Sequence, residues 1–230
     1  ALYRDLGERR LAVHARIAEL VDDPLLRARH LGLSRNAPDE DVAAVLEDAA
    51  RHAPVAVAGE LAEHALRLTS PQHRAERQRR ALAAARAHPA SGEWIRARNL
   101  AAGLLPEVDP GPPRAEILVF LAEIESLACA AELLREALAE SASRPALRSV
   151  VQTRLAWVTR FDPGAIEHAR AALQLADEVG DDAARVRARG VEAVLAWFAG
   201  EAPALDEDIP ARARDFAAAV GERFVQEATQ

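Results

Sequence analysis

The chain has 230 residues, of which 50% are hydrophobic, 28% are charged and only 4% are aromatic, and its formal net charge is -7. Charged residues interrupt every apolar stretch well before the roughly 18 residues needed to cross a bilayer, so a membrane-spanning protein is excluded. The single cysteine, Cys129, excludes a disulfide framework and, with no secretory signal in the sequence, indicates a reducing, cytoplasmic compartment.

The residue types favour helices over strands. The chain contains 54 Ala and no Lys or Met, so its 29 basic residues are all Arg. Ala, Leu, Arg and Glu are strong helix formers, whereas the β-branched and aromatic residues that suit strands are scarce. We predict about twelve helices, at 2–21, 24–35, 39–53, 55–69, 71–88, 92–105, 114–126, 129–141, 145–160, 163–178, 182–199 and 210–226.

Three dipeptides mark predicted helix starts. Asp23-Pro24, Ser70-Pro71 and Asp162-Pro163 each place a capping oxygen before a proline, which fits the first helical position because an N–H there has no partner. Short linkers make successive helices antiparallel. They give six helix hairpins, at approximately 2–35, 39–69, 71–105, 114–141, 145–178 and 182–226.

Two short patterns recur along the hairpins with spacings between 34 and 40 residues. The first-helix anchors are Leu-Ala pairs at Leu82-Ala83, Leu121-Ala122, Leu155-Ala156 and Leu195-Ala196. The second-helix anchors pair a small residue with Leu at Ala65-Leu66, Gly103-Leu104, Ala137-Leu138 and Ala172-Leu173. Such spacing is typical of stacked helical repeats that share one core. We therefore predict an all-α fold, a right-handed α-α superhelix in which Leu138 and Leu173 are core residues.

One predicted second helix contains the stretch Ala165-Ile166-Glu167-His168-Ala169-Arg170-Ala171-Ala172-Leu173-Gln174-Leu175. This stretch resembles the second helix of a tetratricopeptide (TPR) repeat. The other repeats match more loosely, since none carries the usual Trp-Leu-Gly-Tyr set of a first helix. The resemblance implies a TPR-like superhelix across the whole chain.

The N-terminal third resembles a narrower family. Four stretches carry the resemblance: Arg10-Leu11-Ala12-Val13-His14-Ala15-Arg16-Ile17-Ala18-Glu19-Leu20, Arg27-Ala28-Arg29-His30-Leu31, the segment 38–51, and Gly59 to Thr69. In this order they are similar to the helical-repeat region of large ATP-binding LuxR-type regulators. In that family an NTPase module precedes the repeats and a helix-turn-helix DNA-binding domain follows them. The resemblance, together with an opening Ala1-Leu2-Tyr3 that lacks Met, implies a piece of a longer bacterial protein. No phosphate-binding loop motif occurs in this sequence, so ATP hydrolysis and DNA binding are not assigned to any residue.

A basic segment surrounds the first Leu-Ala anchor and includes Arg74, Arg77, Arg79, Arg80 and Arg86. The net negative charge argues against nucleic-acid binding, which requires a dominant positive field. The segment is either a solvated helix face or a docking patch for an acidic surface, for which Arg74, Arg77 and Arg80 are the candidates.

Two tryptophans directly follow Leu-Ala anchors, so Trp157 and Trp197 are expected at equivalent positions of two first helices. They either pack in the core or line a groove as an aromatic wall for a peptide or small effector. Glu123 falls at the same position one repeat earlier and could add a polar contact there. Trp94 is interpreted as a packing residue.

The remaining candidates favour structural roles. Acidic clusters such as Asp22-Asp23, Asp39-Glu40-Asp41 and Asp206-Glu207-Asp208 precede predicted helices, where they cap the ends. The histidines lack metal-ligand spacing, and Cys129 is expected to be buried. No catalytic set can be assembled, and no cofactor is expected.

The sequence thus predicts a non-catalytic repeat module of a LuxR-type regulator that contacts the NTPase module, the helix-turn-helix domain or another protein. Sensing of a small-molecule effector is a further role that this interpretation allows. The alternative is a free-standing TPR scaffold that binds peptide segments in its concave groove. An enzyme is the third and least favoured class.

Overall fold

The computed structural model describes residues 7–200, and within them the chain is all-helical, without strands. The described helices are α1 (Gly7–Leu20), α2 (Pro24–Leu33), α3 (Glu40–His52), α4 (Val55–Leu68), α5 (Arg74–Ala87), α6 (Trp94–Leu104), α7 (Pro112–Ile124), α8 (Leu127–Glu140), α9 (Pro145–Val158), α10 (Ala165–Val179) and α11 (Asp182–Phe198). Short 3-10 turns follow α5 and α6, at Pro89–Ser91 and Leu105–Glu107. The all-α prediction is confirmed, and the predicted helix 210–226 lies outside the described residues.

Acidic caps set several helix starts as the sequence predicts. The Asp23 carboxylate accepts hydrogen bonds from the backbone N–H groups of Leu25 and Leu26 at 2.9 and 2.8 Å. Asp39 and Asp181 cap α3 and α11 through Val42 and Ala184, at 3.1 and 2.9 Å. The cluster at 206–208 lies beyond the described residues. The carboxylates of Asp23, Asp39 and Asp181 each accept a hydrogen bond from an N–H group that the helix itself leaves unpaired.

Five predicted helix starts are wrong by two or three residues, since α6, α7 and α8 begin at Trp94, Pro112 and Leu127 rather than at 92, 114 and 129. The other two, α5 and α10, follow a predicted cap and proline. Helix α5 begins at Arg74 rather than at 71, because the backbone N–H of His73 closes a turn onto the Ser70 carbonyl at 3.0 Å. Helix α10 begins at Ala165 rather than at 163, since Ala165 N–H bonds the Asp162 carbonyl at 3.1 Å. In both places the proline lies in the turn that precedes the helix.

The chain divides into two compact units, Ala1–Val108 and Asp109–Gln230. In unit 1, each of the helices α1 to α6 packs against its neighbour in the chain, and α2 also contacts α4. One core cluster lies between α2, α3 and α4 and consists of Ala28, Val42, Ala43, Leu46, Leu61, Ala65 and Leu68. Burying such side chains supplies the main favourable term for packing helices together.

In unit 2, the helices α7 to α11 pack in chain order, and α9 additionally contacts both α7 and α11. The predicted first helices of three successive hairpins are therefore neighbours in space. A core cluster joins α9, α10 and α11 through Ala156, Ala165, Ala169, Val191 and Leu195. The small residues of this cluster let the helix axes approach closely.

The first-helix anchors lie in the core as predicted, since Leu82, Leu121, Leu155 and Leu195 are all buried. The second-helix anchors follow the prediction only in part. Ala65, Ala137 and Ala172 are buried, whereas Leu138 and Leu173 are only half-buried. The prediction that these two leucines are core residues is therefore wrong: the small residue, not the leucine after it, occupies the seam. At the remaining anchor the order is reversed, because Gly103 is exposed and Leu104 is buried.

The expected burial of Cys129 is also wrong. The side chain is exposed, because it lies near the start of α8 on the side away from the buried Ala130 and Leu134.

No described helix is long and apolar enough to span a membrane.

Candidate functional site

The two tryptophans that follow Leu-Ala anchors occupy different environments in unit 2. Trp157, at the end of α9, is 6% exposed, and Trp197, at the end of α11, is 60% exposed. Trp157 is therefore a core residue, and the equivalence that the repeat spacing predicts does not extend to burial. The two rings do not form one exposed wall.

A chain of ring contacts nevertheless connects the surroundings of the two tryptophans. The Arg160 guanidinium lies 5.1 Å from the ring centroid of Trp157 and 4.8 Å from that of Phe161. Phe161 is 5.8 Å from Phe198, which is 5.3 Å from Trp197. We call Arg160, Phe161, Trp197 and Phe198 the aromatic cluster. Its cation–π and tilted ring contacts hold the exposed rings in place.

Glu123, the third candidate of the predicted wall, forms an ion pair with Arg154 at 2.6 Å. This pair connects the end of α7 with α9, and both side chains are about one-third exposed. Glu123 thus has a role in joining two successive first helices. A ligand that approached it would compete with Arg154 for the carboxylate.

The predicted basic docking patch is divided by the fold. Arg80 is 4% exposed and contacts Glu40 at 2.6 Å and Glu47 at 2.9 Å. Arg77 lies 4.0 Å from Glu107, and Arg74 is exposed at the start of α5. Arg80 is therefore an internal ion-pair residue and is not accessible for docking.

The strongest candidate site in unit 1 is an open groove of about 800 Å³ beside α6. We call it the α6 groove. It is lined by Glu63, Gly92, Glu93, Trp94, Ile95, Arg96, Asn99 and Leu100. Trp94 is 39% exposed and Ile95 is 78% exposed, so apolar surface faces solvent between charged side chains. The groove can accept an apolar side chain against Trp94 and Ile95 and a polar group at its rim.

A buried histidine fixes the wall of the α6 groove. His88 is 2% exposed, its Nε2 contacts Glu63 Oε1 at 2.7 Å, and its Nδ1 lies 2.8 Å from Glu93 Oε2. The first contact is a well-aligned hydrogen bond, whereas the second lies off the direction of one. Arg96 completes the network through its ion pair with Glu63. Residues from α4, from the end of α5 and from the start of α6 are thereby held together.

The linker around His88 is shaped by backbone contacts. The His88 carbonyl accepts hydrogen bonds from the N–H groups of Ser91 and Glu93 at 3.0 and 3.1 Å. Gly92 has a φ of 82°, which favours glycine, and turns the chain into α6. On the opposite side Gly59 leaves room for the imidazole, since a Cβ there would lie 2.7 Å from the ring.

The charged side chains around the α6 groove pair with one another, and these pairs affect their pKa values. Burial of Glu63 acts to raise its pKa, but hydrogen bonds from Arg96 and His88 outweigh burial and hold the pKa below its ordinary value. Burial, followed by the charge of Arg67, lowers the pKa of the neighbouring His64. Glu63 is therefore a carboxylate near neutral pH. A carboxylate held by a guanidinium is suited to fixing structure rather than to taking up a proton.

Among residues 7–200, no three His, Cys, Asp or Glu side chains form a group that could hold a metal ion. The α6 groove combines ion-paired charged side chains with the exposed apolar side chains of Trp94 and Ile95.

Sequence reasoning did not identify most of these residues. It assigned Trp94 to packing and did not single out Glu63, His88, Glu93 or Arg96. The contacts of Glu63 with His88 and with Arg96 span 25 and 33 residues of sequence. In unit 2 it did not identify Phe161 or Phe198. The Pro- and Gly-containing turn after His88 was the one available signal, because it places a histidine at a helix end.

Comparisons with protein-family models, with curated proteins and with solved structures each give no match.

Proposed function

We propose that the chain is a non-catalytic, TPR-like helical-repeat module that holds other protein domains or segments in contact. The observation that carries the proposal is the packing order in unit 2, where α7, α9 and α11 follow one another in space as well as in sequence. Stacked hairpins present long surfaces built from side chains of successive repeats, which suit contacts with other proteins. The resemblance of the N-terminal third to LuxR-type regulators makes an NTPase module and a helix-turn-helix domain the proposed partners.

The gene on either side of these 230 residues tests the family part of the proposal. A phosphate-loop motif encoded upstream and a helix-turn-helix domain encoded downstream would support it. An in-frame start codon directly before Ala1 with a stop codon directly after Gln230 would contradict it, and the free-standing scaffold would then be the better account.

The α6 groove supports a second function, the binding of a peptide segment. Ile95 and Trp94 expose apolar surface, and the half-exposed Glu93 carboxylate beside them favours a basic side chain in the ligand. We propose a peptide with an apolar residue next to an Arg or Lys as the ligand. An effector-sensing role would use the same surface.

A selected peptide tests the groove directly. Dodecapeptides would be selected by phage display against the full chain, and the binding of one fluorescently labelled peptide would be measured by polarisation. We expect the double variant Trp94→Ala, Ile95→Ser to weaken binding at least tenfold. Val45→Ser, a change at an exposed valine on α3, should leave it unchanged. Equal affinity of both variants would contradict a site in the groove.

A further inference from the structure

The residues that line the α6 groove include one more carboxylate than cations. The charged ones are Glu63, Glu93 and Arg96. Arg96 donates hydrogen bonds from Nε and Nη2 to the two carboxylate oxygens of Glu63. Its Nη1 lies 3.9 Å from Glu93, which is too long for a hydrogen bond. The groove therefore has an excess of one negative charge, and that charge is on Glu93.

The buried ring of His88 lies against this extra carboxylate. Its side chain is 3% exposed, and its Nδ1 lies 2.8 Å from Glu93 Oε2. Within the described part of the chain, Nδ1 has no hydrogen-bond partner. A buried nitrogen left in this way costs free energy. A carboxylate beside it accepts a hydrogen bond if the nitrogen carries a proton and repels it if the nitrogen presents a lone pair.

The other ring nitrogen fixes the position of the proton when His88 is neutral. Nε2 hydrogen bonds to Glu63 Oε1 at 2.7 Å. Glu63 is a carboxylate held by Arg96, so it accepts this bond and Nε2 donates it. A neutral imidazole has only one N–H group, and Nδ1 then presents its lone pair to Glu93. Only the protonated ring can donate a hydrogen bond to Glu93.

Packing determines which of the two groups can move. A Cβ on Gly59 would lie 2.7 Å from both Cε1 and Nδ1 of the ring, so the ring packs on the backbone of α4 and has little room to turn. The Glu93 side chain is 49% exposed, while its backbone N–H donates to the His88 carbonyl at 3.1 Å. The carboxylate of Glu93 can therefore rotate into the groove while its backbone stays in place.

We propose that His88 controls the charge of the α6 groove, so that the binding of a basic peptide is coupled to the release of a proton from His88. When the ring is neutral, its lone pair repels Glu93, whose carboxylate turns toward the Arg or Lys of the peptide. When the ring is protonated, Nδ1–H holds Glu93 and the added positive charge cancels the excess negative charge. The inference rests on the proposed peptide binding and adds its regulation, in which affinity falls as pH falls.

The charged groups around His88 leave its ring as the group whose proton can change near neutral pH. Carboxylates and guanidinium groups keep their charge between about pH 8 and pH 5, whereas histidine is the side-chain type that takes up a proton in this range. Burial lowers the pKa of the neighbouring His64, so that ring stays neutral further into the acidic range. The charged groups are Glu60 and Glu63 of α4, Glu93 of the turn and Arg96 of α6.

Fluorescence polarisation with the full chain and a labelled, phage-selected peptide tests the coupling. The peptide is used in two forms, one with its Arg or Lys and one with Gln in that place. We expect the basic form to bind at least fivefold more weakly at about pH 5.5 than at about pH 7.5, since release of one proton changes affinity by up to about tenfold per pH unit. The Gln form should bind equally at both pH values.

Variants of the chain identify the group that takes up the proton. His88→Gln should remove the pH dependence for the basic peptide. Glu93→Gln, which changes a half-exposed side chain and keeps the buried ring, should also remove it and should weaken binding at the higher pH. The matched control Glu76→Gln, at an exposed position of α5, should change neither. An unchanged pH dependence in Glu93→Gln would overturn the proposal.

NMR of the imidazole nitrogens separates this inference from the proposed peptide binding, because it needs no ligand. As pH falls, the Nδ1 signal of His88 should move to the position of a protonated nitrogen. In Glu93→Gln it should do so only at lower pH, because the carboxylate that stabilises Nδ1–H is gone. This result without any bound peptide would support control of the groove charge and contradict peptide binding. The same titration in both proteins, or a basic peptide whose affinity does not change with pH, would overturn the inference and leave peptide binding in place.

Discussion

At the scale of single residues, Gly59 and Gly103 form a matched pair of helical glycines with opposite surroundings. A Cβ on Gly59 would lie 2.7 Å from the His88 ring, whereas nothing lies within 4 Å of one on Gly103. We expect Gly59→Ala to reduce the free energy of unfolding by about 1–3 kcal/mol because the buried ring must move. Gly103→Ala should raise it by up to about 1 kcal/mol, since alanine favours helix. Urea denaturation measures the free energy of unfolding of both variants, and equal changes in that energy would contradict the packing around His88.

Arg80 and Arg79 are adjacent arginines that both contact Glu47 but differ in burial. Arg80 is 4% exposed and also donates a hydrogen bond to Thr69 Oγ1 at 2.8 Å, while the Arg79 side chain is 55% exposed. Arg80→Gln leaves buried oxygens without their charged partner and should cost about 3 kcal/mol of stability. Arg79→Gln should cost less than about 1 kcal/mol, because water replaces an exposed ion pair. Thermal unfolding of the two variants side by side makes the comparison, and a greater loss for Arg79→Gln would be inconsistent with an internal Arg80.

We expect the pH dependence of stability to have two stages. Burial lowers the pKa of His14, with His30 and then Arg10 and Arg29 adding to the effect, and burial also lowers that of His64. The folded state therefore favours the neutral rings, and their contribution is present above pH 6.5 and declines as pH falls below it. The hydrogen bond from Arg79, opposed by burial and reinforced by Arg80, lowers the pKa of Glu47 from 4.5 to about 2, so its contribution is lost between those values.

Melting temperatures from pH 8 to pH 2 should fall in these two stages. Glu47→Gln should remove the pKa difference that drives part of the lower stage and leave the decline near pH 6 in place. A melting temperature that stayed constant between pH 7 and pH 5 would contradict the buried, neutral histidines.

At the scale of secondary-structure elements, two leucines of unit 2 differ in burial. Leu155 on α9 is 1% exposed, and Leu138 on α8 is half-buried. Leu155→Ala should cost about 2–5 kcal/mol, because it removes apolar contact and leaves a cavity. Leu138→Ala should cost clearly less, since water can fill the space. Chemical denaturation of both variants measures the two losses, and a larger loss for Leu138→Ala would contradict the assignment of Leu155, rather than Leu138, to the core.

The start of a helix could be predicted from the sequence where the contacts that define it are local. Asp23 and Pro24 define the start of α2 through contacts two or three residues away, which the sequence makes visible. The burial of Arg80 depends on Glu47, 33 residues earlier in the chain, so a local pattern could not separate it from Arg79. Trp157 and Trp197 share a local pattern and differ because described helices pack around only the first. Candidate site residues depend on such distant contacts, and sequence reasoning therefore identified few of them.

At the scale of the whole molecule, the account depends on the stacking of successive hairpins, in which α7, α9 and α11 of unit 2 are neighbours in space as well as in sequence. Crosslinking of α7 to α9 at the ion pair between Glu123 and Arg154 tests this stacking most directly. In a Cys129→Ser background, the account predicts that the pair Glu123→Cys and Arg154→Cys forms an intramolecular crosslink with a short bis-maleimide. The absence of a crosslink within one chain would contradict the account.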